Sequence, residues 1–387
     1  MKLEMVENKL KDFNIILINL DGLRTDRVKN CKTLNILKNE SYYFSNMITA
    51  APYTFASLHS IFSGMYPSKN GMNAYYNIFK FKKDEIVTIP ELLKKSGYYT
   101  SCDIISKAVI PNQGFDEINV FEEETVDFQK RHKKLIGNMS NKGKFFLFLH
   151  FTETHKHLVR EIVKKYNQED NDDEFFNSFE ENVQRYDSYL PSCDDYISTI
   201  LESLKENKIE NKTILIFFSD HGTSLGEKKG EKFYGVFTYD YTIKVFCILK
   251  IPGNKPQKID VQTRTIDIFP TIVDIINNSP ESKLKNIQGK SLLNLSKEKI
   301  EREAFIETGG LYGPWPSSKE HNIFSIRANS KKIIYNHTPK TWEFYDLEKD
   351  PNELKNIYSE NNHLIKEFKK KLSNNFQENN IDILIEY

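Results

Sequence analysis

The residues that invite a chemical reading are two carboxylates, an imidazole and a hydroxyl. In Ile216-Phe217-Phe218-Ser219-Asp220-His221-Gly222-Thr223-Ser224-Leu225-Gly226-Glu227 an apolar run stops abruptly at adjacent Asp and His. In Phe13-Asn14-Ile15-Ile16-Leu17-Ile18-Asn19-Leu20 a second such run stops at Asp21, and Gly22 follows to allow a sharp turn. Open α/β sheets carry their sites at the carboxyl ends of strands, where this set would offer mixed oxygen and nitrogen ligands to a divalent cation. One such Asp alone reads as a turn residue or a helix cap. Two strand-terminal carboxylates with an adjoining His shift that balance.

The hydroxyl lies between the two runs, in Ala51-Pro52-Tyr53-Thr54-Phe55-Ala56-Ser57-Leu58-His59-Ser60-Ile61-Phe62-Ser63-Gly64-Met65-Tyr66-Pro67. The pattern predicts a helix from about Phe55 to Ser63, with Thr54 as N-cap and Gly64 as the C′ residue. A hydroxyl at a helix N-terminus lies where free N–H groups and the macrodipole favour an incoming anion. Capping alone would explain such a Thr, so the flanking residues decide.

Those residues resemble the nucleophile segment of the sulfatase family within the alkaline phosphatase superfamily, in which C/S-x-P-S-R stands ten residues before a Gly that Tyr-Pro follows. The same spacing reads Thr54-Phe55-Ala56-Ser57-Leu58, then Gly64, Tyr66 and Pro67. Asn14 to Asp26 resembles the family's opening metal strand, and Ser219-Asp220-His221-Gly222 its closing metal motif. Further similarities follow in the family's order: Thr88-Ile89-Pro90-Glu91-Leu92-Leu93 to Thr100, Gly114-Phe115-Asp116, Leu147 through His155, and Phe344-Tyr345-Asp346-Leu347 to Leu354. An ordered set of short motifs is far harder to obtain by chance than any one of them.

The resemblance implies an alkaline-phosphatase-like three-layer α/β sandwich with a mostly parallel central sheet, and a small C-terminal subdomain of antiparallel sheet plus helix. It implies metal ligands Asp21, Thr54, Asp220 and His221 around one divalent ion (manganese, zinc, magnesium or calcium), with Thr54 as the attacking residue. His155 aligns with a substrate-contacting His and is a candidate proton donor, and Lys107 sits where the family keeps an active-site Lys. Lys232 and His157 are further substrate-binding candidates, although Glu227-Lys228-Lys229-Gly230-Glu231-Lys232 also reads as a charged surface loop. His150, inside a strand, reads as a core histidine, and Arg24 with Asp26 as an ion pair orienting the segment after Asp21.

Departures from the pattern shape the chemical expectation. Sulfatases convert a Cys or Ser to formylglycine; Thr54 cannot be that precursor, and Leu58 replaces the motif Arg. A phosphothreonine can be opened by water or another hydroxyl at phosphorus, so the main expectation is a phosphoric ester hydrolase or phosphotransferase. A sulfuric ester hydrolase working without formylglycine is the alternative. A non-catalytic metal- or anion-binding member is a third, suggested by Ala56, Leu58 and Val109, the last standing where a His follows the family's Lys.

Composition agrees with an enzyme of this kind. In 387 residues Lys plus Arg equals Asp plus Glu at 54 each, so no global field attracts nucleic acid. Cys31, Cys102, Cys193 and Cys247 form no close pair, which favours a reducing compartment. Met1 to Asp12 lacks the apolar stretch of an export signal, and the run near Phe145 to Phe151 is too short to cross a bilayer. The expectation is a cytoplasmic protein acting on a small-molecule, glycan or lipid-linked ester, with its oligomeric state open.

Alternating strand and helix patterns run from Asn14 to about Asn278. They include a capped helix over Thr88 to Ser96, a longer helix over Tyr186 to Glu206, and strands over Thr213 to Ser219 and Val245 to Ile251. The catalytic domain is expected over 1–295, with an exposed polar insertion beside the site at about 159–184, whose Phe175, Phe176 and Phe179 either cover a substrate or, as the preferred reading, pack the insertion down. The C-terminal subdomain is expected over 296–387, with strands in Phe324 to Asn336 and Trp342 to Leu347 and a helix from His363 to about Phe376. Glu307-Thr308-Gly309-Gly310 reads as a turn.

Overall fold

A computed structural model describes residues 10–72, 80–157, 172–276, 284, 286–293, 295, 300–309 and 322–385. The described strands are β1 (Asn14–Leu20), β2 (Tyr42–Ile48), β3 (Tyr99–Ile104), β4 (Glu117–Val120), β5 (Phe145–Phe151), β6 (Thr213–Phe218), β7 (Lys244–Lys250), β8 (Gln257–Ile259) and β9 (Thr263–Arg264), followed by β10 (Ala304–Thr308), β11 (Ile323–Ala328), β12 (Lys331–Asn336) and β13 (Thr341–Asp346). The first nine form one sheet in the order β4-β3-β5-β1-β6-β7-β2-β8, with β9 also on β2. From β4 to β6 all pairings are parallel; β7 runs antiparallel to both β6 and β2.

Strands β1, β5 and β6 are buried along their whole length. Their continuous apolar sequences reflect helices on both faces, as parallel sheets require. Ile15 and Leu17 point to the side of Leu58, Ile61 and Phe62 (helix Thr54–Ser63) and of Leu92 and Leu93 (helix Ile89–Lys95). Ile16, Ile18 and Leu20 point to the side of Leu34 and Leu37, Ile136 and Met139, and Ile197 and Ile200, on helices Lys32–Asn39, Phe128–Met139 and Leu190–Glu206. The result is the three-layer sandwich.

Beyond β9, the antiparallel order β10-β11-β12-β13 makes a second sheet. Phe305, Phe324, Ile326 and Phe344 pack on Ile365, Phe368, Leu372 and Phe376 of helix His363–Asn379. This small sheet is tied to the segment before β7 by charges: the buried Lys332 ammonium lies 2.7 Å and Arg327 3.0 Å from Asp240, and Glu353, which follows β13, adds a second carboxylate 2.6 Å from Lys332. Among the described residues no helix is long and apolar enough to cross a membrane.

Local details depart from the sequence reading in physical ways. Thr54 opens the first turn of its helix and Tyr53 is the N-cap, while Gly64 closes the helix with φ of 68°. The helix expected over Tyr186 to Glu206 is two helices, Phe179–Asp187 and Leu190–Glu206, divided just before Pro191, whose ring suits the first turn of the second. Glu307 is a β10 residue rather than part of a turn: its carboxylate accepts from the Ser68 amide at 2.7 Å. Burial pushes this carboxyl up to about 7, against the hydrogen bonds that Ser68 donates.

Candidate active site

The site exists because β1 is central. Asn19 is in register with Phe218 of β6 and His150 of β5, so the residues that follow all three strands leave the sheet side by side. Asp21, Asp220 and His221 are thereby brought together, with one donor atom from each lying within 4.8 Å of the others. All three are buried. Helix Thr54–Ser63 is anchored over the same edge by Ser57, whose Oγ donates to the Asp220 carbonyl at 2.8 Å. That bond places Thr54 Oγ1 at 3.1 Å from His221 Nε2 and 3.4 Å from Asp21 Oδ2.

Hydrogen bonding defines the donor set. His221 Nδ1 is 2.7 Å from the Gly222 carbonyl, to which it must donate, so Nε2 keeps its lone pair for the cluster. Asp21 Oδ1 and Asp220 Oδ2 are buried and make no hydrogen bond, an arrangement costing about 1–3 kcal/mol per atom unless something else binds them. They lie 3.6 Å and 3.7 Å from His221 Nε2. Ligands held roughly 2.0–2.6 Å from one ion sit about 3–4 Å from each other, so these residues fit a divalent cation.

Neighbouring groups tune the two carboxylates in opposite directions. Burial would raise Asp21, but the His150 hydrogen bond at 2.8 Å, together with His155 and His221, holds it well below the usual carboxylate range. Asp220 is pushed up by burial and by the Asp21 charge beside it. A cation would relieve both the desolvation and the repulsion.

His155 lies on the short helix Glu153–His157 after β5, with Nδ1 2.9 Å from Glu123 and Nε2 2.9 Å from the Tyr234 hydroxyl. The Tyr234 ring lies over His221 with centroids 4.4 Å apart. Lys107 is exposed on the loop after β3, where its carbonyl accepts from Asn112 at 2.9 Å. Lys232 is half-buried in the loop that carries Tyr234. The His157 side chain lies outside the described residues, as does the part of the polar insertion over 158–171. Of the insertion's aromatics, Phe175 is fully buried, Phe176 packs on it, and Phe179 is 40% exposed.

Arg24 and Asp26 form a two-pronged ion pair at 3.0 and 2.8 Å, and Arg24 also donates to the Thr223 carbonyl at 2.9 Å, stapling the turn after Asp21 to the turn after His221. His150 is buried like a core residue, yet its Nε2 serves Asp21. Glu123 and Tyr234 escaped the sequence reading because neither belongs to a strand-terminal pattern. For His150 no local pattern gave a signal; the parallel register with Asn19, two residues before Asp21, brings it to that carboxylate.

A three-layer α/β sandwich whose central strands end in a buried carboxylate–imidazole cluster under a helix-borne hydroxyl is the architecture of the alkaline phosphatase superfamily. Within it, the chain belongs to the sulfatase family: the Sulfatase family model matches residues 14–278, and the model for the N-sulphoglucosamine sulphohydrolase C-terminal region matches residues 230–380. The chain is 30% identical over 181 residues to arylsulfatase K of Canis lupus familiaris, covering 44% of this chain but 32% of that protein, so it spans about a third of the length of that relative. It is 23% identical over 445 residues to an arylsulfatase of Clostridium perfringens, covering 89% of this chain and 90% of that one. The fold is similar to a solved structure described as BT4656 in complex with its substrate D-glucosamine-2-N,6-O-disulfate, with a TM-score of 0.75 at 17% identity, covering 96% of this chain and 99% of that one. It is likewise similar to BT1596, described as a 2-O GAG sulfatase, with a TM-score of 0.78 at 17% identity, covering 96% and 93%.

Proposed function

We propose that the protein is a cation-dependent hydrolase of sulfuric esters, with a sulfated sugar as the substrate class. The observation that carries this reading is the convergence of Asp21, Asp220 and His221 with the Thr54 hydroxyl 3.1 Å from the imidazole, in a chain of the sulfatase family. Names of the relatives and neighbours, which include arylsulfatases and a glucosamine disulfate complex, support the sulfuric ester and the sugar.

Asp21, Asp220 and His221 would hold the ion, with Thr54 Oγ1 beside them. A divalent ion supplies a lowered hydroxyl pKa and a polarised ester oxygen. The chain's own residues do the rest. Asp21 Oδ2, 3.4 Å from Thr54 Oγ1, accepts a hydrogen bond from that hydroxyl and so orients its oxygen. His155, cationic because its hydrogen bond to Glu123 and the nearby carboxylates outweigh burial, offers an N–H to a nonbridging oxygen or to the departing alkoxide. Thr54 Oγ1 would form a bond to sulfur, losing its proton to solvent, as the bond from sulfur to the ester oxygen breaks and that oxygen takes a proton from His155; water would then break the sulfur–Oγ1 bond, giving sulfate and returning one proton to Oγ1 and one to His155.

Thr54 itself favours a second reading, phosphoryl transfer through a phosphothreonine, because a threonine cannot become formylglycine whereas its phosphoester can be opened at phosphorus. One experiment separates the readings. Purified protein loaded in turn with manganese, zinc, magnesium and calcium is assayed on an aryl sulfate, a phosphate monoester and a phosphate diester, with intact-protein mass spectrometry on the slowest. Sulfate turnover that Asp220→Asn abolishes is the expected result. Preferred phosphate turnover with a Thr54-dependent adduct replaces it with the second reading, and no turnover with any ester or metal overturns both.

A further inference from the structure

Outside the cation cluster, a chain of side chains reaches it from the far edge of the sheet. Glu123 lies in the loop between the edge strand β4 and helix Phe128–Met139, and its Oε1 is 2.9 Å from His155 Nδ1. His155 Nε2 is 2.9 Å from the Tyr234 hydroxyl, and the Tyr234 ring covers His221. Glu123 and His155 are both largely shielded, with side chains 17% and 20% exposed.

Such a bond fixes an imidazole in two respects. It commits Nδ1–H to the carboxylate, and it stops the ring from turning over, which would put a carbon where Nε2 now lies. It also supplies charge. Burial works against a cationic His155, and the Glu123 bond with the Asp21 and Asp220 carboxylates raises it to about 9. A divalent ion on Asp21 and Asp220 would cancel much of their pull, and Glu123 would then be the acidic partner that remains.

We propose that Glu123 is a positioning residue which aims His155 Nε2–H at an anionic oxygen of the ester, with the Tyr234 hydroxyl marking where that oxygen arrives. This deepens the proposed function and rests on its assignment of His155 as an anion-contacting group. Glu123→Gln keeps the shape and an oxygen acceptor but removes the charge.

The test uses the metal-loaded protein and compares wild type with Glu123→Gln, His155→Ala and the double variant. Binding of inorganic sulfate and of inorganic phosphate is measured by calorimetry, and kcat and KM with the best ester of the panel. Glu123→Gln is expected to weaken anion binding and raise KM about tenfold, to change kcat less than threefold, and to leave metal content and Tm at wild-type values. The double variant is expected to be no weaker than His155→Ala, because Glu123 acts only through that ring. Anion binding within twofold of wild type in Glu123→Gln, or penalties that multiply in the double variant, overturns the proposal while leaving the His155 assignment standing. Wild-type anion binding in His155→Ala removes that assignment and the proposal with it.

Discussion

Thr54 Oγ1 lies 3.1 Å from His221 Nε2, although 167 residues separate the two in sequence. The approach is fixed at both ends: His221 donates through Nδ1 to the Gly222 carbonyl, and Ser57, one helical turn beyond Thr54, donates to the Asp220 carbonyl. Thr54 is therefore held against the cluster by the backbone that follows β6. Replacing Thr54 by Ala leaves Asp21, Asp220 and His221 in place, so metal content by elemental analysis should stay at the wild-type value. Turnover of the best ester should fall about 10³-fold or more, and Thr54→Ser should recover part of it. Turnover of Thr54→Ala within tenfold of wild type would remove Thr54 from the chemistry.

His150 should matter for the metal without being a ligand. Its Nε2 is 2.8 Å from Asp21 Oδ2, both groups are buried, and that bond orients the carboxylate whose other oxygen faces His221. Partners of this kind are typically worth about 10–100-fold in metal affinity. A competition titration against a chelator should show a loss of that size for His150→Phe, with the fold retained by circular dichroism. Unchanged affinity would mean that Asp21 is oriented by the ion or by the backbone alone.

Much of this arrangement is legible in the sequence because β1 and β6 end at chemically distinctive residues, and parallel strands put their carboxyl ends together. Asp21, Asp220 and His221 were readable for that reason, Thr54 from its place at a helix start within the resembling motif, and Gly64 because a helix end needs a left-handed residue there. Side-chain direction was not readable. A histidine within Phe145-Phe146-Leu147-Phe148-Leu149-His150-Phe151 looks like core, and only the pairing of β5 with β1 reveals that it faces Asp21. Glu123 sits in a loop whose course depends on the crossover from β4, which no local pattern specifies. Leu58 shows the opposite lesson: at a position where the resembling motif has Arg, its side chain is fully buried in the core beside Ile61 and Phe62.

The buried Glu231 predicts an unusual pH dependence of stability. Its Oε1 accepts from the Val236 and Phe237 amides at 2.9 and 2.8 Å, yet burial dominates and pushes the carboxyl from 4.5 up to about 8. A raised carboxyl pKa means that the folded state binds the proton more tightly than the unfolded state. The contribution of Glu231 is therefore complete below about pH 4.5 and is lost as pH rises through 8, at up to roughly 1.4 kcal/mol per pH unit. Glu231→Gln mimics the protonated form and should flatten that decline. Denaturant unfolding at pH 5 should show the variant close to wild type, and at pH 8 the variant should be more stable. Equal stabilities at both values would place the Glu231 carboxyl at an ordinary pKa.

Gly222 separates a steric requirement of the site from ordinary backbone strain. A Cβ there would stand 2.1 Å from the Tyr241 carbonyl oxygen, while the Gly222 amide donates to Thr242 at 2.7 Å and its carbonyl accepts from His221. The backbone cannot move away from Tyr241 without carrying the His221 ring with it. Gly253 is the contrasting case: its φ is +80°, but nothing lies within 4 Å of a built Cβ. Gly253→Ala should cost about 1 kcal/mol of unfolding free energy through backbone strain alone and leave metal affinity untouched. Gly222→Ala should lose both stability and cation affinity, since relieving the clash moves the imidazole out of the cluster. Chemical denaturation paired with chelator competition on the two variants distinguishes them. If Gly222→Ala lowered stability but bound metal normally, the packing of Gly222 against Tyr241 would serve the fold alone.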